Sequence, residues 1–339
     1  MFALWPRNLK VLATFLFVIS VTSFMLNYIE HLGSINWYPE KYFSSFPEQI
    51  KRLIQPTWRP CSCARCISEP SLSLWFHERF NQSVPPLLTK HSTIPDDVYH
   101  WWLKLQVEEK PKNLSKTLVD VFELIPGHSG FPAPDAFRCR RCAVVGNSGN
   151  LLKSNYGSII DSHDIIMRMN RAETVHFEND VGSRTTHHFL YPESYIKLAE
   201  NVTLVFLPFK TLDLQWLVSA LTTGAINFTY MNVPRWIDTK KDKIIIFNPT
   251  FMKYVSDIWM QEHGKYPSTG ILVTIFALHM CDEVNLFGFG ADSKGNWHHY
   301  WEDIISLEFQ KSDIHDDIFQ TNVTQMLSSI NKIQFFSGR

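Results

Sequence analysis

The stretch AVVGNSGNLLKSNYG, residues 143–157, opens as a short apolar strand, breaks at Gly146-Asn147-Ser148-Gly149 and resumes as a polar segment. Strand, glycine turn and helix in succession is the arrangement that brings backbone N–H groups up to a phosphate. The spacing is neither the dinucleotide fingerprint G-x-G-x-x-G nor the P-loop G-x-x-x-x-G-K-[ST]. An ordinary strand-to-helix turn is the competing reading. Outward from this stretch, CAVVG, DIIMRMN, TTHHFLYP, VTLVFLP, KIIIFNP and EVNLFGFG are short β-rich runs. Between some of them lie TLDLQWLVSALTTG, PTFMKYVSDIWMQEHG and TGILVTIFALHMCD, which read as helices. Strands that are nearly continuously apolar and alternate with helices predict an α/β fold around a buried, mostly parallel sheet. In such a sheet the ligand crevice lies at the strand C-termini.

The N-terminus has a different character. Val11 to Ile29 is a run of 19 residues without a charge, preceded by Arg7 and Lys10 and followed by Glu30 and His31. That length spans a bilayer, and the flanking charges put the short tail in the cytosol. A cleaved signal peptide is the alternative, but its apolar region is usually shorter. The expected organisation is a cytoplasmic tail over 1–10, a transmembrane signal anchor over 11–29, a stem over 30–57 and one lumenal domain over 58–339. LSLWFHERFNQSV and DDVYHWWLKLQVEEK have helical spacing and form a helical N-terminal elaboration of that domain.

The 339 residues carry 32 Lys+Arg against 33 Asp+Glu, which argues against a nucleic-acid partner. Sequons at Asn81, Asn113, Asn201, Asn227 and Asn322 fit a secretory-pathway address; Asn248 is excluded by the proline after it. The six cysteines, Cys61, Cys63, Cys66, Cys139, Cys142 and Cys281, read as three disulfides in an oxidising compartment. Cys63-x-x-Cys66 with Cys139-x-x-Cys142 has zinc-site spacing, so zinc remains the rival on sequence alone.

Two further motifs carry chemistry. Ser268-Thr269-Gly270 precedes an apolar helix, giving a second helix N-terminus able to receive an anion; a plain Ser or Thr cap is the bland reading. NWHHYWE, residues 296–302, sets two histidines among aromatics beside Glu302, and His315 follows thirteen residues later. Histidine is the usual acid or base near neutral pH. The chain contains neither H-E-x-x-H nor D-x-D, so no carboxylate pair for a nucleotide-bound metal is legible.

In order and spacing these blocks resemble the animal sialyltransferases over residues 58–339. CRRCAVVGNSGNLLKSNYGSIIDSHDIIMRMNRA resembles the family's long motif and YPSTGILVTIFALHMCDEVNLFGFG its short one. HYWE, residues 299–302, is similar to the third motif, and His315 stands where a His-x4-Glu motif is expected. The last departs from the pattern: the fifth residue after His315 is Gln320, not Glu. CSCARC, YHWWLKLQ and HHYWE are most like the α2,3 branch that acts on Galβ1-3GalNAc.

The resemblance implies a modified GT-A-like, Rossmann-type catalytic domain that uses CMP-sialic acid as donor, with no metal or other cofactor. It implies anomeric inversion, acceptors ending in Galβ1-3GalNAc, and a single-pass type II place in the Golgi membrane. His315 would be the base and His299 would meet the leaving phosphate. Asn147, Ser148, Asn170, Tyr191, Tyr230, Ser268, Thr269, Gly270 and Gly290 would contact the donor, and Gln106 and Tyr266 the acceptor galactose. The implied disulfides are Cys61–Cys66, Cys63–Cys139 and Cys142–Cys281. Competing readings are a preference for glycolipid acceptors and, given Gln320, an inactive lumenal glycan-binding homologue.

Overall fold

A computed structural model describes residues 19–23, 61–69, 73–106, 108, 111–128, 131, 137–292, 295–296, 298–302 and 314–339. The tail, the stem and all of the apolar run but residues 19–23 lie outside that set; residues 19–23 are helical. Among the described residues no helix is long and apolar enough to cross a membrane.

Residues 59–339 form one compact unit. In chain order its elements are β1 (Leu87–Leu88), α1 (Asp96–Leu105), α2 (Leu114–Leu124), β2 (Arg141–Val145), α3 (Gly157–Asp161), β3 (Ile165–Met169), β4 (His187–Leu190), β5 (Thr203–Phe206), α4 (Thr211–Ala220), β6 (Ile244–Phe247), α5 (Pro249–Tyr254), α6 (Thr269–Met280), β7 (Glu283–Phe287), α7 (Asp317–Ser329) and β8 (Gln334–Phe336). They build an eight-stranded sheet of order β1-β6-β5-β4-β3-β2-β7-β8. Only β1 is antiparallel, paired to β6; the other pairings are parallel.

All six expected strands are present. Leu87–Leu88 and Gln334–Phe336 are too short to leave a periodic signal, and both lie at sheet edges. The helical expectations hold less evenly. LSLWFHERFNQSV yields only a turn of helix at Leu74–His77, capped by Ser73. PTFMKYVSDIWMQEHG splits into α5 and a π-helical segment, Val255–Trp259. The polar segment after the Gly146 turn gives a 3-10 turn at Gly149–Leu151 and the five-residue α3, not a long helix.

Side-chain alternation along the strands feeds two faces. Cys142, Val144, Met167, Phe189, Val205, Ile245 and Leu286 face the core that holds α6. Ile271 to Leu278 of α6 is buried throughout, as a helix that is apolar on every side must be. Opposite, Leu204, Phe206, Ile244 and Ile246 meet Trp216 and Leu217 of α4, and Ala143, Val145 and Ile166 meet Leu151 and Ile160. Both faces are thus covered, as a parallel sheet requires.

The cysteines form Cys61–Cys66, Cys63–Cys139 and Cys142–Cys281, the pairing that the resemblance implies. The zinc reading is therefore set aside: the metal-like grouping of Cys63, Cys139 and Glu283 contains two sulfurs bonded to each other. Cys281 is the C-cap of α6 and Cys142 lies in β2, so the third bond ties the core helix to a central strand. Cys281→Ser is expected to cost about 2–5 kcal/mol. Thermal unfolding measured with and without reductant checks this: reductant should lower the wild-type midpoint toward that of the variant.

Candidate active site

Strand β2 runs outward to β3, β4, β5 and β6 on one side, while β7 and β8 lie on the other. The order reverses between β2 and β7, and the crevice opens beyond the C-terminal ends of that pair. Two glycine turns meet there. A Cβ on Gly146 would lie 2.3 Å from the Gly288 carbonyl oxygen, so that close backbone approach is what demands glycine. Gly288 also takes φ +72, which favours a residue without Cβ.

The turn lines the crevice at Gly146, Asn147 and Ser148, yet most of its backbone donors bond within the protein. Gly146 N–H donates to Phe287 O at 2.7 Å, Ser148 N–H to Gly288 O at 3.1 Å and Gly149 N–H to His298 O at 2.7 Å. Three of its backbone donors are therefore spent on the protein. They pin β2 to the turn after β7 and to the segment that carries His298 and His299. The open donors lie instead at α6. Ser268 caps that helix, accepting from Ile271 N–H at 3.3 Å, and the first turn, Thr269 and Gly270, faces the crevice. A twelve-residue helix presents its positive end there.

The crevice is a cavity of 840 Å³, within the size range of small-molecule sites. Among the residues expected from sequence, His315, His299, Asn147, Ser148, Asn170, Tyr191, Ser268, Thr269, Gly270 and Gly290 line it. Tyr230, Gln106 and Tyr266 do not; they belong to a polar cluster next to it.

Each lining group has a fixed setting. Asn147 donates through Nδ2 to Met169 O at 3.1 Å, and its Oδ1 is buried without a partner. Asn170 sits at φ +54, and His188 Nε2 holds its carbonyl at 2.7 Å while its Oδ1 is likewise buried and unpartnered. These two oxygens accept hydrogen bonds, so they suit hydroxyl or amino groups, not phosphate oxygens. Burial pushes His188 down to about 4, so it stays neutral while its Nε2–H donates to the Asn170 carbonyl.

His299 Nδ1 lies 2.8 Å from Glu302 Oε1, and its ring stacks on Trp301 at 4.5 Å. Burial favours the protonated Glu302 carboxyl, but the His299 hydrogen bonds outweigh it and hold that carboxyl below its usual range. His315 Nδ1 lies 2.9 Å from the Tyr266 carbonyl oxygen. A carbonyl only accepts, so Nδ1 carries the proton and Nε2 keeps a lone pair. Burial lowers the His315 proton affinity, against the Tyr266 hydrogen bond and Asp317, which raise it. Gln320 is buried and accepts a hydrogen bond from Ser268 Oγ, so its partner is the α6 cap.

Sequence reasoning missed Glu193, Lys210 and Asp213. Lys210 Nζ is 2.6 Å from Gln106 Oε1, 3.2 Å from Glu193 Oε1 and 2.7 Å from Asp213 Oδ1. It also lies 4.9 Å from the Tyr230 ring centroid. All three charged side chains are buried, and Glu193 reaches the cavity. Burial raises Asp213 to about 7 even with Lys210 opposing it. Lys210 and Asp213 stand three apart at a strand-to-helix junction, which was the one available signal.

A family model for glycosyltransferase family 29, the sialyltransferases, matches residues 87–332. The chain belongs to this family. It is 58% identical to the chicken CMP-N-acetylneuraminate-beta-galactosamide-alpha-2,3-sialyltransferase 1, with 98% of each chain covered. It is 53% identical to the human protein of that name over the whole of both chains. Among solved structures, a mammalian sialyltransferase superposes with TM-score 0.78 at 56% identity, covering 83% of this chain and 100% of the other. Another, in complex with Gal-beta-1-3GalNAc-ortho-nitrophenol, gives 0.76 at 55% identity, with the same coverage.

The contact between the glycine turns makes a direct prediction. Gly146→Ala forces apart two backbones and should cost about 1–3 kcal/mol, while widening the crevice. Thermal melts with and without CMP check it: the variant should melt lower and gain less from CMP than the wild type.

Proposed function

We propose that this sialyltransferase moves sialic acid from CMP-sialic acid to the 3-OH of galactose in Galβ1-3GalNAc termini, with inversion at the anomeric carbon. The names of its full-length relatives and the disaccharide bound to a similar solved structure support the linkage and the acceptor. The observation that carries the mechanism is the His315 tautomer. Its Nδ1 proton is committed to the Tyr266 carbonyl, so Nε2 is the basic nitrogen on the cavity wall.

In this reading galactose O3 attacks the anomeric carbon as its proton passes to His315 Nε2. The bond from that carbon to the phosphate oxygen breaks, and CMP leaves with the added charge. The N-terminus of α6 and His299 receive that charge. The buried oxygens of Asn147 and Asn170 accept from the nucleoside portion, and Tyr191 and Tyr230 attend the phosphate. Gln106 and Tyr266 orient the galactose. Transfer runs without a metal ion. Supporting this, the cavity carboxylates have other duties: Glu302 holds His299, Glu193 pairs with Lys210, and Asp317 starts α7 beside His315. The single phosphate of CMP also leaves less charge to neutralise than a diphosphate would.

The wider reading is a modified GT-A-like domain held in the Golgi membrane by Val11–Ile29, with the catalytic unit lumenal. The three disulfides and the exposure of Asn81, Asn113, Asn201, Asn227 and Asn322 support that address.

His315→Ala should lower kcat by about 10²–10⁴-fold while CMP still binds. The active form is the neutral imidazole, and burial depresses its proton affinity. Activity should therefore persist below about pH 6.5 and be lost only as pH falls through the depressed value. A near-normal kcat in a folded His315→Ala protein, with the acid limb unmoved, would remove His315 as the base. EDTA should leave the initial rate intact; a collapse restored by Mn²⁺ would defeat the metal-free reading.

A further inference from the structure

The Lys210 cluster is larger than structural economy explains. A buried ammonium with two buried carboxylates costs desolvation that apolar residues would avoid. Its geometry gives the charge a task. An ammonium has donors only, so the amide of Gln106 must turn its oxygen toward Lys210, 2.6 Å away. The Gln106 NH₂ group is then directed elsewhere.

We propose that Lys210 is a positioning residue that fixes the hydrogen-bond polarity of the acceptor subsite. It makes Gln106 a donor toward the sugar, so that the amide recognises a hydroxyl oxygen as an acceptor. Glu193 and Asp213 hold the ammonium in place: Asp213 Oδ2 accepts from Phe209 N–H at 2.8 Å, and Glu193 Oε1 accepts from Thr229 Oγ1. Glu108 steadies the same junction, accepting from Thr211 N–H at 2.8 Å and Leu212 N–H at 3.0 Å. The proposal rests on the acceptor role given above to Gln106.

The test is a double-mutant cycle on the full chain, read in the KM for Galβ1-3GalNAc and separately in the KM for CMP-sialic acid. Gln106→Ala and Lys210→Met should each raise the acceptor KM by about tenfold. The double variant should be no worse in acceptor KM than either single, and Lys210→Arg, which keeps a donor-only cation, should recover part of the loss. Any effect passing through the Tyr230 ring falls on the donor KM. If Lys210→Met accumulates poorly, Lys210→Met with Asp213→Asn removes the stranded carboxylate, and the same acceptor KM is expected. Multiplying effects in the double variant, or an unchanged acceptor KM in a folded Lys210 variant, would overturn the positioning role alone. An unchanged acceptor KM in Gln106→Ala would instead remove the acceptor role of Gln106, and the proposal with it.

Discussion

The contact between Gly146 and the Gly288 carbonyl is the constraint on which the site depends. It lets β2 and β7 run side by side to their C-terminal ends without a side chain between the turns. The backbone donors of Gly146, Ser148 and Gly149 then close the seam. Because the seam reaches His298, it also anchors the segment carrying His299. Tyr300 N–H donates to Asn147 O at 3.1 Å, which adds a further tie between the turn and that segment. The turn is thus a brace for the cavity. The N-terminus of α6, capped by Ser268, lines the same cavity.

The second organising feature is the use of neutral, buried histidine. His188 fixes a strained asparagine, and His315 has its tautomer set by a carbonyl. In both, burial disfavours the charged imidazolium, so the ring serves as a directional hydrogen-bonding group. Glu302 gives His299 a different partner, a carboxylate at Nδ1. Two histidines with neighbours of different kind are suited to different proton roles.

Gln320 shows how a motif departure is absorbed. Its side-chain oxygen accepts from the Ser268 hydroxyl, a bond that a carboxylate at this position would also accept. The substitution therefore retains an acceptor for the α6 cap while adding no charge to a buried position. The amide nitrogen is left buried without a partner.

Much of the fold was legible because its signals are local. Six apolar runs, the Ser268 cap and the all-apolar α6 each declare themselves within a few residues, since strand burial and helix capping act at that range. The cavity residues were named through the resemblance to the sialyltransferase motifs, which lie at the ends of those runs. The sequence by itself therefore determined six of the eight strands and the sheet type, and its motifs named ten of the residues that line the cavity. Tertiary structure decided where the hydrogen bonds go. Whether Gly149 N–H faces a phosphate or the His298 carbonyl depends on a segment about 150 residues away in the chain. Lys210 shows the same limit: it meets Gln106 from a distant helix and Glu193 from another segment, and no local pattern marks those contacts. Hydrogen-bond direction is settled by which partners the folded chain brings within about 3 Å, and those partners come from segments far apart in sequence.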